Sequence, residues 1–223
     1  KVNKNVNGHF ICDEGRLSYT NEANNRFETP LVNKNETNVD NTITNMFKEL
    51  TTNKNILFVL SANLSIEEMQ NVKNLASKLN IDVSGYSPNT FDESFADDYL
   101  RTNDRTANRA AFKELQIDES KEYFDEKLNK ASLVIIVENS YFENNANLLE
   151  NKKVISLFSH HCMTIGYSNV AIPVASFYEK SGTYININGI KQKVISKMNK
   201  NNPMQSITTV IEDLKSMIEK GTV

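Results

Sequence analysis

The chain of 223 residues has no tryptophan, two cysteines and seven glycines, and these scarcities narrow its possible functions. Cys12 and Cys162 are too few for the disulfide framework of a small secreted domain, so a reducing cytoplasm is expected. The longest apolar runs, Ile56–Leu60 and Leu133–Val137, are strand-sized and far shorter than the ~20 residues that span a bilayer. A formal net charge of −3 argues against an electrostatic grip on nucleic acid or anionic lipid.

Glycine-rich phosphate-binding motifs are also missing. The first predicted strand is followed by Ser61-Ala-Asn, where a dinucleotide-binding protein would carry GxGxxG. The chain contains neither a GKS or GKT loop nor the GxSxG turn of α/β hydrolases. The sequence therefore gives no indication of bound NAD(H).

Apolar residues alternate between strand-like runs and helix-like stripes. Ser65-Ile-Glu-Glu68 is a capping box that opens a helix after the first buried run. Strands alternating with helices predict an α/β fold: a Rossmann-like parallel sheet with helices on both faces, with the runs 56–60, 133–137 and 154–158 as neighbours. Further strands are predicted at 81–83 and 170–177.

Three further helices are predicted from stripes and caps. The first carries Ile43, Met46, Phe47 and Leu50 at helical spacing, and the second runs from a cap at Asp118 to about Lys130. The third would be capped by Asn202, with Pro203 at the first helical position and Gln205 completing the box.

The sequence predicts two units. Residues 1–41 are expected to be an extended segment ending in a polar linker, Asn33–Asn41, and residues 42–223 an α/β domain. Because the chain begins with Lys1 rather than Met, we expect a fragment, a processed product or an engineered piece.

Two groups of residues could carry chemistry. Cys12 alone cannot hold an iron–sulfur cluster, which usually needs four cysteines, so the residues by themselves favour a packing role. The stretch Ser159-His-His-Cys162-Met163 contains several soft-metal ligands, but adjacent histidines point in different directions and chelate poorly together. A loop or packing role is favoured there, and a metal site stays open as the alternative.

The stretches GHFICDEGRLSY (8–19) and RFETPLV (26–32), followed far along the chain by NVAIPVASFYEKSGTYININGIKQ (169–192), resemble a known family. They are similar to the large iron–sulfur subunit in the peripheral arm of NADH:quinone oxidoreductase, respiratory complex I. The similarity is to the end of its iron–sulfur region and to its molybdopterin-oxidoreductase-like domain, in a reduced form. Residues 96–100 and 108–111 resemble the same family more weakly.

The resemblance implies that Cys12 is the distant fourth ligand of a [4Fe–4S] cluster completed by cysteines upstream, present only in the full-length parent. It also implies a scaffold role for residues 179–189 and no catalytic residue. Gly189 is followed by Ile190 where the family usually has Arg, so a guanidinium that could hold a pyrophosphate is absent and no molybdopterin is expected. The implied function is a cofactor-free scaffold domain supporting electron transfer from NADH to quinone.

The implied partners are other subunits of a NADH dehydrogenase-type complex, with no nucleic acid and no membrane span. The implied location is the cytoplasm, peripheral to the inner face of the cell membrane. Three alternatives stay open: an electron-transfer fragment of an NAD-linked hydrogenase or formate dehydrogenase, a true molybdopterin enzyme, and a non-catalytic interaction domain.

Overall fold

A seven-stranded, mostly parallel sheet forms the centre of the computed structural model, which describes residues 3–6, 8–9, 12–196 and 204–221. Its strands are β1 (Leu31–Val32), β2 (Asn35–Glu36), β3 (Ile56–Leu60), β4 (Asp82–Ser84), β5 (Leu133–Val137), β6 (Lys153–Phe158) and β7 (Val170–Pro173). A separate antiparallel hairpin consists of β8 (Gly182–Ile185) and β9 (Lys191–Val194).

The strand order is β2-β1-β7-β6-β5-β3-β4. Strands β3 to β7 are parallel, whereas β1 and β2 extend the β7 edge in antiparallel register. Numbered along the chain, the five parallel strands lie in the order 2-1-3-4-5, so the winding direction reverses between β3 and β5. In open sheets of this kind, that reversal point is where the carboxyl ends of the strands leave a crevice for ligands.

Seven α-helices complete the described part of the chain: α1 (Asp13–Leu17), α2 (Val39–Thr52), α3 (Ile66–Leu79), α4 (Ala110–Glu114), α5 (Lys121–Lys130), α6 (Met163–Tyr167) and α7 (Ile207–Lys220). The long ones begin at side-chain caps, because the first backbone N–H groups of a helix need an acceptor. Asn38, Ser65, Ser120 and Ser206 each accept a hydrogen bond from the first turn.

The sheet is covered on both faces, which explains why β3 and β5 are apolar throughout. Phe58 and Leu60 of β3 pack into one core with α2, α3 and α7. Leu57 and Val59 point to the opposite core, which contains Phe124 of α5. Successive side chains of a strand alternate between faces, so a strand buried on both faces reads as a continuous apolar run.

The mixed α/β class with a mostly parallel sheet is confirmed, and the runs 56–60, 133–137 and 154–158 are neighbours in it. The predicted linker 33–41 is wrong, because it contains the turn and second strand of the β1–β2 hairpin and the start of α2. The cap of α5 is Ser120 rather than Asp118. The predicted cap Asn202 and Pro203 lie outside the described residues, and α7 is capped by Ser206.

No helix in the described ranges is both long enough and apolar enough to cross a membrane.

Candidate functional site

A cleft of about 480 Å³ lies at the carboxyl edge of the sheet. Its walls include the loops after β3, β5 and β6, which contribute Leu64, Glu138 and Ser159. The cleft therefore lies beside the reversal point between β3 and β5, where this topology places ligands. Its size falls within the roughly 300–1,000 Å³ of small-molecule sites.

Glu138 occupies the first position after β5 and has an unusual backbone. Its φ of 53° lies in the left-handed region, which a side chain other than glycine rarely adopts. Its carboxylate accepts a hydrogen bond from the backbone N–H of Ser159 at 2.7 Å. Burial raises the pKa of Glu138, although Lys180 and the Ser159 hydrogen bonds oppose that shift. Backbone strain at such an edge is characteristic of functional positions.

Ser159 and His160 form a short hydrogen-bonded chain on the same wall. Nε2 of His160 lies 3.1 Å from the carbonyl oxygen of Glu22, which can only accept, so Nε2 carries the proton. Nδ1 is then an acceptor for the hydroxyl of Ser159 at 2.9 Å. The imidazole is thereby fixed in one orientation and one tautomer.

The N-terminus of α3, next to the cleft, is occupied by the chain's own side chains. Glu68 closes the capping box with Ser65 and also pairs with Lys180, whose Nζ lies 2.9 Å from both carboxylate oxygens. Both charged side chains are buried. Glu67 accepts from the backbone N–H and hydroxyl of Thr183 at 2.8 and 2.6 Å. Burial alone would raise the pKa of Glu67, but these hydrogen bonds outweigh it and lower the pKa.

Asn108 joins the loop after β3 to the β8–β9 hairpin. Its amide nitrogen donates to the carbonyl oxygen of Leu64 at 2.7 Å, and its amide oxygen accepts from the backbone N–H of Ile185 at 2.7 Å. Gly182 lets the hairpin approach further, because a Cβ there would lie 2.4 Å from the Cβ of Ser65. The hairpin is therefore held rigidly against the start of α3.

Residues 12–26, here called the strap, form one rim of the cleft. None of the strap side chains described up to Asn25 is buried, and the first buried residue of the chain beyond it is Phe27. Polar contacts attach the strap: Ser18 to the hydroxyl of Tyr178 at 2.7 Å, and Arg26 to Glu179 at 2.6 Å. Its apolar side chains face solvent, with Leu17 52% and Tyr19 59% exposed.

A second, wider groove of about 810 Å³ continues from the cleft and is lined by Cys12 and by arginines. The guanidinium groups of Arg101 and Arg105 flank the ring of Phe95 at 4.9 and 4.8 Å. Carboxylates compensate these arginines: Asp97 lies 2.8 Å from Arg101, and Asp92 lies 3.7 Å from Arg105. The groove thus carries mutually paired charges.

Cys12 is half-buried and caps the short helix α1. Cysteines upstream of Lys1 lie outside this chain, so its role as a cluster ligand stays a prediction. The stretch 159–163 divides: His160 faces the cleft, whereas His161 lies edge-on to Phe27 with ring centroids 5.2 Å apart. Burial raises the pKa of the Cys162 thiol to about 11. Across residues 3–6, 8–9, 12–196 and 204–221, no cluster of three or more His, Cys, Asp or Glu side chains could hold a metal ion.

Sequence reasoning missed Glu138, Glu68 as the partner of Lys180, and Asn108. The signal for Glu138 was its position, since a charged residue directly after a buried strand lies at the ligand edge of the sheet. Nothing in the sequence pairs Lys180 with a residue 112 positions earlier.

Neither a protein-family model nor a curated protein matches this chain. Solved structures that match include the X-ray crystal structure of the formyltransferase/hydrolase complex (FhcABCD) from Methylorubrum extorquens in complex with methylofuran. The TM-score is 0.48 and the sequence identity 10%, over 87% of this chain and 100% of that chain.

The assignment to the iron–sulfur subunit of respiratory complex I, with its NADH dehydrogenase description, is wrong by these comparisons. The structure found belongs to a formyltransferase/hydrolase complex, and no sequence comparison supports the complex I family. Local structure accounts for the residues that carried the resemblance. Glu179 pairs with Arg26, Lys180 with Glu68, and Gly182 permits close packing on Ser65. Such roles can arise in any α/β chain, so these residues do not specify one family.

Proposed function

We propose that this chain is a non-catalytic domain that acts by binding other protein subunits in a larger assembly. The observation that carries the proposal is the occupied N-terminus of α3. In nucleotide-binding α/β proteins, the helix after the first parallel strand offers its free N–H groups to phosphate. Here that position holds two carboxylates, Glu67 and Glu68, and a phosphate would meet like charge and a docked hairpin.

The exposed apolar side chains support protein binding. Leu17 and Tyr19 project from the strap, and Leu100 and Ile187 line the neighbouring groove with 44% and 70% of their surface exposed. Apolar side chains grouped around one edge are typical of surfaces that another protein covers. Aromatic residues such as Tyr19 are enriched among the residues that dominate binding energy.

The test has two arms on the purified chain. Calorimetry with NADH and with ATP should show no binding up to millimolar concentration, because the phosphate position is filled by Glu67 and Glu68. Partners isolated with the chain from its source should be purified and recombined with it, and the dissociation constant measured. The double variant Leu17→Ser/Tyr19→Ser should raise that constant by at least about tenfold.

The matched control is Tyr167→Ser, since Tyr167 is 49% exposed but lies at the end of α6, three residues before β7 begins. It should leave the dissociation constant unchanged. Micromolar binding of NADH or ATP would overturn the proposal, and so would recombined partners that bind the strap variant as tightly as the parent chain.

A further inference from the structure

The cleft beside the strap is unusual in the charge of its lining. Its cationic side chain, Lys180, is already bound by both oxygens of Glu68. Two further carboxyl groups, Glu22 and Glu138, belong to the same lining. The charge left over after internal pairing is therefore acidic.

Both of these carboxyl groups have spare acceptor capacity. Oε1 of Glu22 is buried and has no hydrogen-bond donor within the described residues. The nearest cation, Arg26, lies 4.0 Å from it and donates instead to Glu179 at 2.6 Å. Glu138 accepts one backbone hydrogen bond from Ser159, although a carboxylate can accept about four. Buried acceptors without donors are costly, so the cleft favours a ligand that donates hydrogen bonds.

The remaining walls are apolar and aromatic. Leu64 and Ala107 line one part, and Phe177 and Tyr178 another. The two rings meet edge-to-face with their centroids 5.3 Å apart. Aromatic faces attract organic cations through their quadrupole, and this attraction strengthens when water is excluded.

We propose that this cleft binds a small organic cation, an ammonium or amidinium group carried on a flat apolar body. Its N–H groups donate to the carboxylates of Glu138 and Glu22, and its body packs between Leu64 and the rings of Phe177 and Tyr178. The inference goes beyond the proposed assembly function, since it concerns a cavity inside the domain rather than its exposed surface.

The experiment compares three ligands of the same shape on the full chain at about pH 8. Benzylamine should bind at least about tenfold more tightly than benzyl alcohol, because a charged donor to a buried carboxylate contributes more than a neutral one. Benzoate should bind more weakly than either. Calorimetry gives the constants, and amide chemical-shift changes should be centred on residues 138 and 159–160.

The variant Glu138→Gln should lower the affinity for benzylamine about tenfold and leave that for benzyl alcohol unchanged. The control Glu150→Gln removes an exposed carboxylate outside the cleft and should change neither. Unfolding curves of both variants establish that the fold is intact. Nα-acetyl-lysine amide separates two sources of the same group: tighter binding than benzylamine assigns the site to a lysine of a bound protein, and weaker binding assigns it to a free amine.

Three results would overturn the proposal. Equal affinity for benzylamine and benzyl alcohol would reduce the cleft to an apolar cavity. Tighter binding of benzoate would make it an anion site. Benzylamine binding that survives Glu138→Gln without loss would place the ligand elsewhere.

Discussion

The N-terminus of α3 and the cleft beside the strap lie next to each other at the carboxyl edge of the sheet, and they differ in how their polar groups are satisfied. At α3 both carboxylates have partners within the chain: Lys180 for Glu68 and Thr183 for Glu67. In the cleft, Glu22 lacks a donor and Glu138 has one backbone partner. One place is closed by its own residues, and the other has acceptors available to something outside the chain.

This difference shows that the position of a site within a fold does not determine its chemistry. The topology brings both places to the edge where α/β proteins bind ligands. The β8–β9 hairpin then removes one of them from use, since it places Lys180 and Thr183 on the helix start. Four substitutions test the comparison, in order of decreasing expected effect.

The largest effect is expected from Lys180→Met. Glu68 would keep its capping bonds but lose its cation in a buried setting, and an unpaired buried charge typically costs about 3–5 kcal/mol. The free energy of unfolding in urea should fall by about 4 kcal/mol. The double variant Lys180→Met/Glu68→Gln should recover most of this loss, because glutamine keeps the capping box without a charge. A double variant no more stable than the single would show that the pair is not the cause.

Gly182→Ala should cost about 2 kcal/mol, since the new methyl group would overlap Ser65 and force the hairpin away from α3. Urea unfolding measures the loss. Gly166→Ala is the matched control: nothing lies within 4 Å of a Cβ there and the residue is in α6, so it should be neutral or slightly stabilising. Equal costs for the two variants would remove the case for close hairpin docking.

The cleft predicts a pH effect of defined sign through Glu138. Its pKa is raised by burial in the folded state, so the folded chain holds a proton that the unfolded chain has already released. Its contribution to stability is therefore present at acid pH and lost as pH rises past the ordinary glutamate range. Glu138→Gln should gain stability relative to the parent chain between about pH 4 and pH 8. A constant difference across urea curves at several pH values would contradict this.

The sequence predicted the sheet well because apolar runs and caps are local signals. Ile56–Leu60 and the capping box at Ser65 identify a strand and a helix without information from the rest of the chain. The short β1–β2 hairpin was missed because its two-residue strands carry no periodic pattern, and it exists through pairing with β7.

The site could be predicted far less, because its contacts join distant segments. Glu138 and Lys180, or Asn108 and Ile185, come together only when the hairpin docks on the sheet edge. The motif-like stretch 179–189 was interpreted through a family resemblance, whereas its residues make ion pairs and turns within this fold.

The smallest expected effect concerns the strap, which contrasts with both places because polar contacts hold it and its apolar side chains face solvent. Ser18→Ala removes the hydrogen bond to Tyr178, which contributes about 1 kcal/mol to holding the strap in place. The global free energy of unfolding should change by less than about 0.5 kcal/mol, since no buried group is exposed. Amide hydrogen exchange should nevertheless quicken about fivefold across residues 13–25 and stay unchanged in β5, because local opening of a weakly packed segment is independent of global unfolding. Thr44→Ala, which removes a comparable hydroxyl bond within α2, should leave the exchange of the strap unchanged. If Ser18→Ala lowered global stability as much as Gly182→Ala does, the strap would be part of the cooperative core, and the cleft would have no separable rim.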